Sequence, residues 1–257
     1  GPYFINTHFL YDGEKEATNL LDIIDKSLNS PLELAKILWD KVVDFYKTNE
    51  RYKSVMDTFY NELKNIDEFK NSSFVSGGER RDWFFSIVIA FLSKKEHLFI
   101  FKDLSIYTKD KKIENIGNKK VSHIADLITQ ASSYERAWIP AVKKIGANIT
   151  FSASVVDRNQ GGFDFLKSNK IYPYSSVVIN EDFFKTAKIN GVINDEQYNQ
   201  IIEFTKDTNK FGKEFILNNV NFLKKSLVNS DNSISSKAKR CLSDNPYEIN
   251  FENINIF

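Results

Sequence analysis

The chain has 257 residues, 42% of them hydrophobic, with 22 Phe and 11 Tyr, which excludes a disordered polymer and supports a sizeable packed core. Lysine and arginine number 35 against 34 acidic residues, a net charge of +1. The electrostatic footprint of a non-specific nucleic-acid or membrane-surface binder is therefore missing, and neither partner is expected. The single cysteine, Cys241, cannot form an intrachain disulfide and reads as incidental; with no signal peptide visible, a reducing cytoplasm is the expected setting. No apolar run approaches the ~20 residues that span a bilayer. The longest, Trp83 to Leu92, is interrupted by Ser86 and reads as a buried helix.

In chain order, Gly1-Pro2-Tyr3-Phe4-Ile5-Asn6 reads as the middle of a domain rather than its start, with residues expected upstream. Residues 3–11 suggest a strand or hairpin arm, and Leu20, Leu21, Ile23, Ile24 and Leu28 an apolar helical stripe. Ser30-Pro31 is a helix-start signal, a hydroxyl cap before a proline in the first turn. Leu34, Ile37, Leu38, Trp39, Val42, Phe45 and Tyr46 then predict a long helix, and Val55 to Leu63 another. Phe74-Val75 predicts a short strand, Ser76-Gly77-Gly78 a turn, Asp82 to Leu92 a helix and His97 to Phe101 a buried strand. Leu104 to Lys120, with five lysines, reads as a mobile loop. Val121 to Ala125 predicts a strand, Ser132 to Ile145 a helix stopped by Gly146, and Ile149 to Val156 the next strand. This alternation is the signature of a mainly parallel sheet with crossover helices. After Gly161-Gly162 the tail reads as mainly helical: Asn194-Asp195-Glu196-Gln197 resembles a capping box, Phe215 to Leu223 suggests a further helix, and Asn229 to Ser236 a loop. With no internal repeat, the expectation is one α/β domain over 1–257. Its core would span about 74–162, with an arm and helices over 1–73 and a helical extension over 163–257.

Open α/β sheets bind ligands where strand carboxyl ends meet helix starts. Three such loops stand out. In Ser76 to Asp82, Gly77 and Gly78 allow close backbone approach, and Arg80 and Arg81 can fork onto phosphate oxygens. In Asp126 to Ser133, hydroxyls and N–H groups at a helix start suit an anion, and a strand-end aspartate suits sugar hydroxyls. In Val156 to Gly162, charge and glycine follow an apolar strand. Singly, each has a bland reading as turn, helix cap or surface ion pair. Their shared position after successive strands strengthens the joint reading. His97 and His123 read as core or strand-end histidines, the lysines at 109, 111 and 112 equally well as a solvated face, and no zinc-ligand spacing is present.

The run His123-Ile124-Ala125-Asp126-Leu127-Ile128-Thr129, followed by a helix and Val155-Val156-Asp157-Arg158-Asn159-Gln160-Gly161-Gly162, resembles the central region of orotate phosphoribosyltransferases, of the type I phosphoribosyltransferase family. The opening Gly-Pro-Tyr-Phe-Ile-Asn is similar to that family's Ser-Pro-Tyr-Phe-Phe-Asn arm, Ser76–Asp82 to its pyrophosphate loop, and Phe101-Lys102-Asp103 to the start of its flexible catalytic loop. The resemblance covers about 1–12 and 74–162. It implies phosphoribosyl pyrophosphate (PRPP) and orotate as ligands, with orotidine 5′-monophosphate and pyrophosphate as products. Asp126 would hold the ribose hydroxyls, and Thr129, Gln130, Ala131, Ser132 and Ser133 the 5′-phosphate. Gly77, Gly78, Arg81 and Lys102 would face pyrophosphate, with Mg²⁺ bridging its oxygens. Arg158, Phe4 and Ile5 would approach the base, and Lys109 would act from the loop. Because that loop often reaches a partner subunit, a homodimer is implied.

This chain departs from the family pattern in three places. Ala125-Asp126 keeps one carboxylate of an acidic pair, Thr129-Gln130-Ala131-Ser132 replaces Thr-Thr-Gly-Gly, and Phe101 stands where arginine is usual. Transfer to another nucleobase and a non-catalytic PRPP-binding regulator therefore stay open beside the orotate reaction.

Overall fold

The computed structural model describes residues 30–251, so the expectations for Phe4, Ile5 and the first helix lie outside the described residues. The chain divides into two compact units between Asn180 and Glu181.

The described part of the first unit opens with two helices that start as their sequences require. Ser30 Oγ accepts from Glu33 N (3.3 Å) at the head of α1, Pro31–Thr48. Asn49 caps α2, Glu50–Leu63, by accepting from Tyr52 N (2.9 Å). A single turn, α3 (Asp67–Lys70), leads into β1 (Phe74–Gly78). Ser76-Gly77-Gly78, expected as a turn, forms the last three residues of that strand. Next comes α4, Trp83–Ser93, apolar on every side and buried for most of its length; Lys94 ends it with a left-handed residue (φ +57°).

After β2 (Glu96–Ile100), the lysine-rich segment expected as a mobile loop contains a small antiparallel hairpin, β3 (Ile106–Tyr107) and β4 (Lys112–Ile113). Ile106 and Ile113 pair across it and are both buried, which anchors the hairpin despite the charges around it. β5 (Lys120–Ile128) follows, then a helical stretch that begins as a wide π turn, Tyr134–Trp138, and continues as α5, Ile139–Lys144. Ile139 N–H bonds Tyr134 O five residues back, and Pro140 has no N–H to offer. Gly146 (φ +78°) stops the helix as expected.

β6 (Asn148–Asp157) and α6 (Gly162–Ser168) lead to β7 (Tyr172–Val178), a strand where the sequence suggested a helical tail. β7 is an edge strand, which tolerates its Pro173.

The sheet order is β4-β3-β2-β1-β5-β6-β7, with the five strands β2-β1-β5-β6-β7 all parallel. One face packs on α1, α2 and α4 through Leu38, Tyr52, Phe59, Trp83 and Phe151; the other packs on α5 and α6 through Leu98, Val121, Val142, Ile149 and Leu166. A bulge at Thr150 puts Ile149 and Phe151 on opposite faces although they lie two residues apart.

Order reverses at β1, with β2 on one side and the later strands on the other. β1 pairs with β2 along all five residues but with β5 only through Phe74–Ser76. The carboxyl halves of β1 and β5 therefore part, and a crevice opens at the switch point, where doubly wound sheets hold their ligands.

The second unit is helical: α7 (Glu181–Ile189), α8 (Asp195–Lys206), α9 (Thr208–Asn218), α10 (Val220–Leu227) and α11 (Asn232–Asp244). The capping box at Asn194 is present in both directions. Of Asn229–Ser236, expected as a loop, residues 229–231 are non-helical and residues 232–236 form the first turn of α11. Leu223 and Ala238 are buried at the centre of a small core with Ile216, Val220, Leu227 and Leu242.

Candidate functional site

Two loops enclose a cleft of about 230 Å³ at the switch point: residues 79–82 after β1 and residues 125–133 at and after the end of β5, with Tyr134 and Trp138 completing the wall.

The first loop is held by its own side chains. Glu79 N donates to Ile100 O (2.8 Å), and Glu79 Oε2 accepts from Lys102 N (2.9 Å), with Lys102 Nζ 3.8 Å from Oε1. The Glu79–Arg80 peptide bond is cis. Asp82 ties the two loops together: Oδ2 accepts from Gly78 N and Oδ1 from Asp126 N, both at 3.2 Å. His123, fully buried beneath them, is bonded through Nδ1 to Ser76 Oγ (2.9 Å), has Nε2 3.6 Å from Asp82 Oδ2, and stacks on Trp138. Both β1 glycines are packing residues. A Cβ at Gly77 would lie 2.1 Å from Ser86 Oγ, and one at Gly78 would lie 2.2 Å from the Trp138 ring. Neither lines the cleft.

Asp126 is the buried carboxylate of the site. Its Oδ1 accepts from Leu127 N (2.7 Å), while Oδ2 has no hydrogen-bond partner and lies 3.8 Å from Arg81 Nε. Burial, and next the neighbouring Asp82, push this carboxyl up to about 7, and Arg81 opposes the rise. Ala125 beside it is apolar and 2% exposed.

The second loop is anchored by backbone. Arg158 N donates to Ile128 O and Gly162 N to Thr129 O, both at 2.9 Å. Close approach requires a glycine at 162, because a Cβ there would sit 2.7 Å from both Thr129 O and Ile128 Cγ1. Ala131 holds φ +57°, a left-handed conformation natural to glycine. Gln130, Ser132 and Ser133 are exposed at the start of the helix, where first-turn N–H groups lack intrahelical partners.

Of the residues singled out from sequence, Arg81, Asp126, Thr129, Gln130, Ala131, Ser132 and Ser133 line one cleft. Lys102 reaches its rim through Glu79. Arg158 follows β6, half-buried, its guanidinium drawn below the usual range by desolvation, and is not among the lining residues. Lys109 sits between β3 and β4, paired with Asp110 (2.9 Å), and lines a different cavity. Sequence reasoning gave no role to Glu79, Asp82, Tyr134 or Trp138. Asp82 had the one available signal, an acidic residue directly before an apolar helix and directly after a pair of arginines.

Chemically, the cleft sets one buried carboxylate, able to accept from hydroxyls, against Arg80 and Arg81 and a helix start. A phosphorylated sugar is the ligand such a set suits.

No family model matches the sequence, and no curated protein matches it. Solved structures do match. Orotate phosphoribosyltransferase from Francisella tularensis aligns at 15% identity over 63% of this chain and 82% of its own, with a TM-score of 0.50. Leishmania donovani UMP synthase aligns at 16% identity over 76% of this chain, with a TM-score of 0.51; the chain spans 42% of that protein. The orotate phosphoribosyltransferase from Aeropyrum pernix aligns at 16% identity over 60% of this chain and 81% of its own, with a TM-score of 0.46. With its mainly parallel sheet, its switch-point cleft and the Francisella tularensis and Leishmania donovani neighbours, the chain has the α/β fold of the type I phosphoribosyltransferases.

Proposed function

We propose that this chain binds PRPP in the switch-point cleft and transfers its phosphoribosyl group to orotate. The observation that carries the reading is the convergence of Arg81, Asp126 and the 129–133 loop on one cleft, between two strand ends that part. Asp126 accepts hydrogen bonds from the ribose hydroxyls through its unpartnered Oδ2. The N–H groups and hydroxyls of 129–133 take the 5′-phosphate. Arg81 and Lys102 face the pyrophosphate, and Arg158 faces the carboxylate of the base.

In the reaction the bond from C1′ to the pyrophosphate oxygen breaks, a bond from C1′ to a ring nitrogen of orotate forms, and the proton of that nitrogen passes to solvent or to the departing pyrophosphate. Charge gathers on the leaving pyrophosphate, so the Arg81 guanidinium beside it stabilises the departure. Among the described residues no group of three or more His, Cys, Asp or Glu could hold a metal. Mg²⁺ entering with PRPP would neutralise charge on the leaving group, and Asp126 is the cleft's buried carboxylate that would face it. A homodimer is part of the same reading, and sedimentation of the intact chain tests it.

A second reading, a PRPP-binding regulator or a transferase for another base, is favoured by one observation: buried Ala125 stands beside Asp126 where a second carboxylate would be usual. The test is the ultraviolet absorbance of orotate mixed with protein, PRPP and Mg²⁺. A PRPP-dependent fall supports the orotate reaction. PRPP binding without that fall moves the assignment to the second reading, and absence of PRPP binding by calorimetry overturns both.

A further inference from the structure

For a site that would hold a polyanion, the cleft carries a surprising charge: three carboxylates, Glu79, Asp82 and Asp126, line it against two guanidinium groups, Arg80 and Arg81. Two of the three carboxylates are accounted for within the site. Asp82 accepts the N–H groups of Gly78 and Asp126. Asp126, pushed up to about 7 by burial and next by Asp82, holds a proton in part of the population near neutral pH. Glu79 is the third, and a cation from a different loop stands beside it.

The Glu79 backbone N–H donates to Ile100 O at the end of β2 (2.8 Å). Its side chain continues to the turn that joins β2 to β3. There Oε2 accepts from Lys102 N (2.9 Å), and Lys102 Nζ stands 3.8 Å from Oε1. The turn is tight, with Phe101 N donating to Ser105 O (3.0 Å) and Asp103 Oδ1 accepting from Ser105 N (2.9 Å). Backbone at 102 is therefore fixed, while the Lys102 side chain is 74% exposed and can turn. The contact between Nζ and Oε1 is loose beside the ~2.8 Å of a tight charged hydrogen bond, so little is lost when the ammonium leaves it.

We infer that Glu79 is a positioning residue with two separable actions. Its Oε2 holds the Lys102 backbone at the edge of the cleft. Its charge keeps the Lys102 ammonium there while the cleft is empty and competes with a pyrophosphate group for that ammonium when one enters. The inference rests on the proposed placing of pyrophosphate against the loop after β1. One ion pair replaces another in the exchange, the backbone bond persists, and the cleft gains a cation without moving its walls.

The test titrates inorganic pyrophosphate, with Mg²⁺, into the full chain by calorimetry, with ribose 5-phosphate as the comparison ligand. Glu79→Gln keeps an oxygen for the Lys102 N–H and removes the charge. It should bind pyrophosphate about two- to fivefold more tightly than the wild type, the opposite of what a damaged loop would do. Ribose 5-phosphate affinity should stay the same. Lys102→Ala should cost more in the Glu79→Gln background than in the wild type, because there the ammonium has no carboxylate to leave. Glu79→Ala, which also loses the backbone bond, should bind pyrophosphate more weakly than Glu79→Gln. The inference is overturned if Glu79→Gln binds pyrophosphate no more tightly, or if ribose 5-phosphate tightens by as much. It is equally overturned if Lys102→Ala costs the same in both backgrounds, or if the Ala and Gln variants bind alike. A wild type that binds neither pyrophosphate nor PRPP overturns the assignment of the cleft itself.

Discussion

The two loops that face each other across the cleft are built on different plans. The loop after β1 is a side-chain construction: Glu79 grips the backbone at Lys102, and Asp82 grips the backbone at Gly78 and at Asp126. The loop after β5 is a backbone construction, fixed by the carbonyls of Ile128 and Thr129 and by a left-handed residue at 131. The first can fail by losing a single carboxylate. The second fails only when its path is forced aside. Substitutions that respect this division should therefore have effects of different kind and size.

The largest effect is expected from Asp82→Ala. It strands the N–H groups of Gly78 and Asp126 and removes the strap between the loops. An unsatisfied buried donor costs about 1–3 kcal/mol, so denaturant unfolding should show a loss of at least that size, and PRPP affinity by calorimetry should fall by about 100-fold or more. Unchanged affinity would mean that the loops hold their positions without the strap.

Next is Gly162→Ala, which attacks the opposing loop from beneath. The added Cβ would sit 2.7 Å from Thr129 O, so the loop must shift. Overpacking of this kind costs about 1–3 kcal/mol. Ribose 5-phosphate binding should drop while pyrophosphate binding is largely kept. Equal losses for the two ligands would erase the division between the loops.

Asp126→Asn separates function from stability. The folded carboxyl titrates near 7 against an ordinary 3.8, so the folded state holds its proton more tightly than the unfolded chain does. Its contribution is most favourable below about pH 4 and is lost as pH rises through 7. Asparagine keeps the shape and cannot ionise, so the variant should gain on the wild type between pH 4 and 7 and hold a lead of roughly 1–3 kcal/mol above that. It should also bind PRPP more weakly, because the acceptor for the ribose hydroxyls is reduced. A melting-temperature difference that is the same at pH 5 and pH 8 would remove the burial argument for Asp126.

The parallel core was legible because the buried strands and the largely apolar α4 leave long hydrophobic runs, and because Ser30 and Asn194 cap helices through local chemistry alone. The hairpin of β3 and β4 was not. Its strands are two residues long, and the pairing of Ile106 with Ile113 is a tertiary fact inside a lysine-rich stretch. β7 was hidden by Pro173, which only an edge position permits. At the site, Arg81, Asp126 and residues 129–133 could be read from their place after strands. Asp82 could not be read as a strap, since its partner Asp126 lies 44 residues away. The glycines at 77 and 78 were read for ligand approach, yet what crowds them is Ser86 and Trp138, neighbours that only folding supplies.

The smallest effect belongs to Ala131. A non-glycine residue in the left-handed region costs about 1–2 kcal/mol, so the backbone-built loop keeps a glycine-like path against the preference of its own residue. Ala131→Gly removes that cost but frees the unfolded chain and loses a buried methyl, leaving a net change within about 1 kcal/mol. Phosphate affinity should stay the same, because the path is already set. Ala131→Val meets the same φ with a β-branched side chain and should destabilise by a further ~1–2 kcal/mol and weaken ribose 5-phosphate binding. If glycine instead sharply raised phosphate affinity, the methyl group and not the backbone would be what limits the loop, and the plan of the two loops would be less distinct than their hydrogen bonds make it.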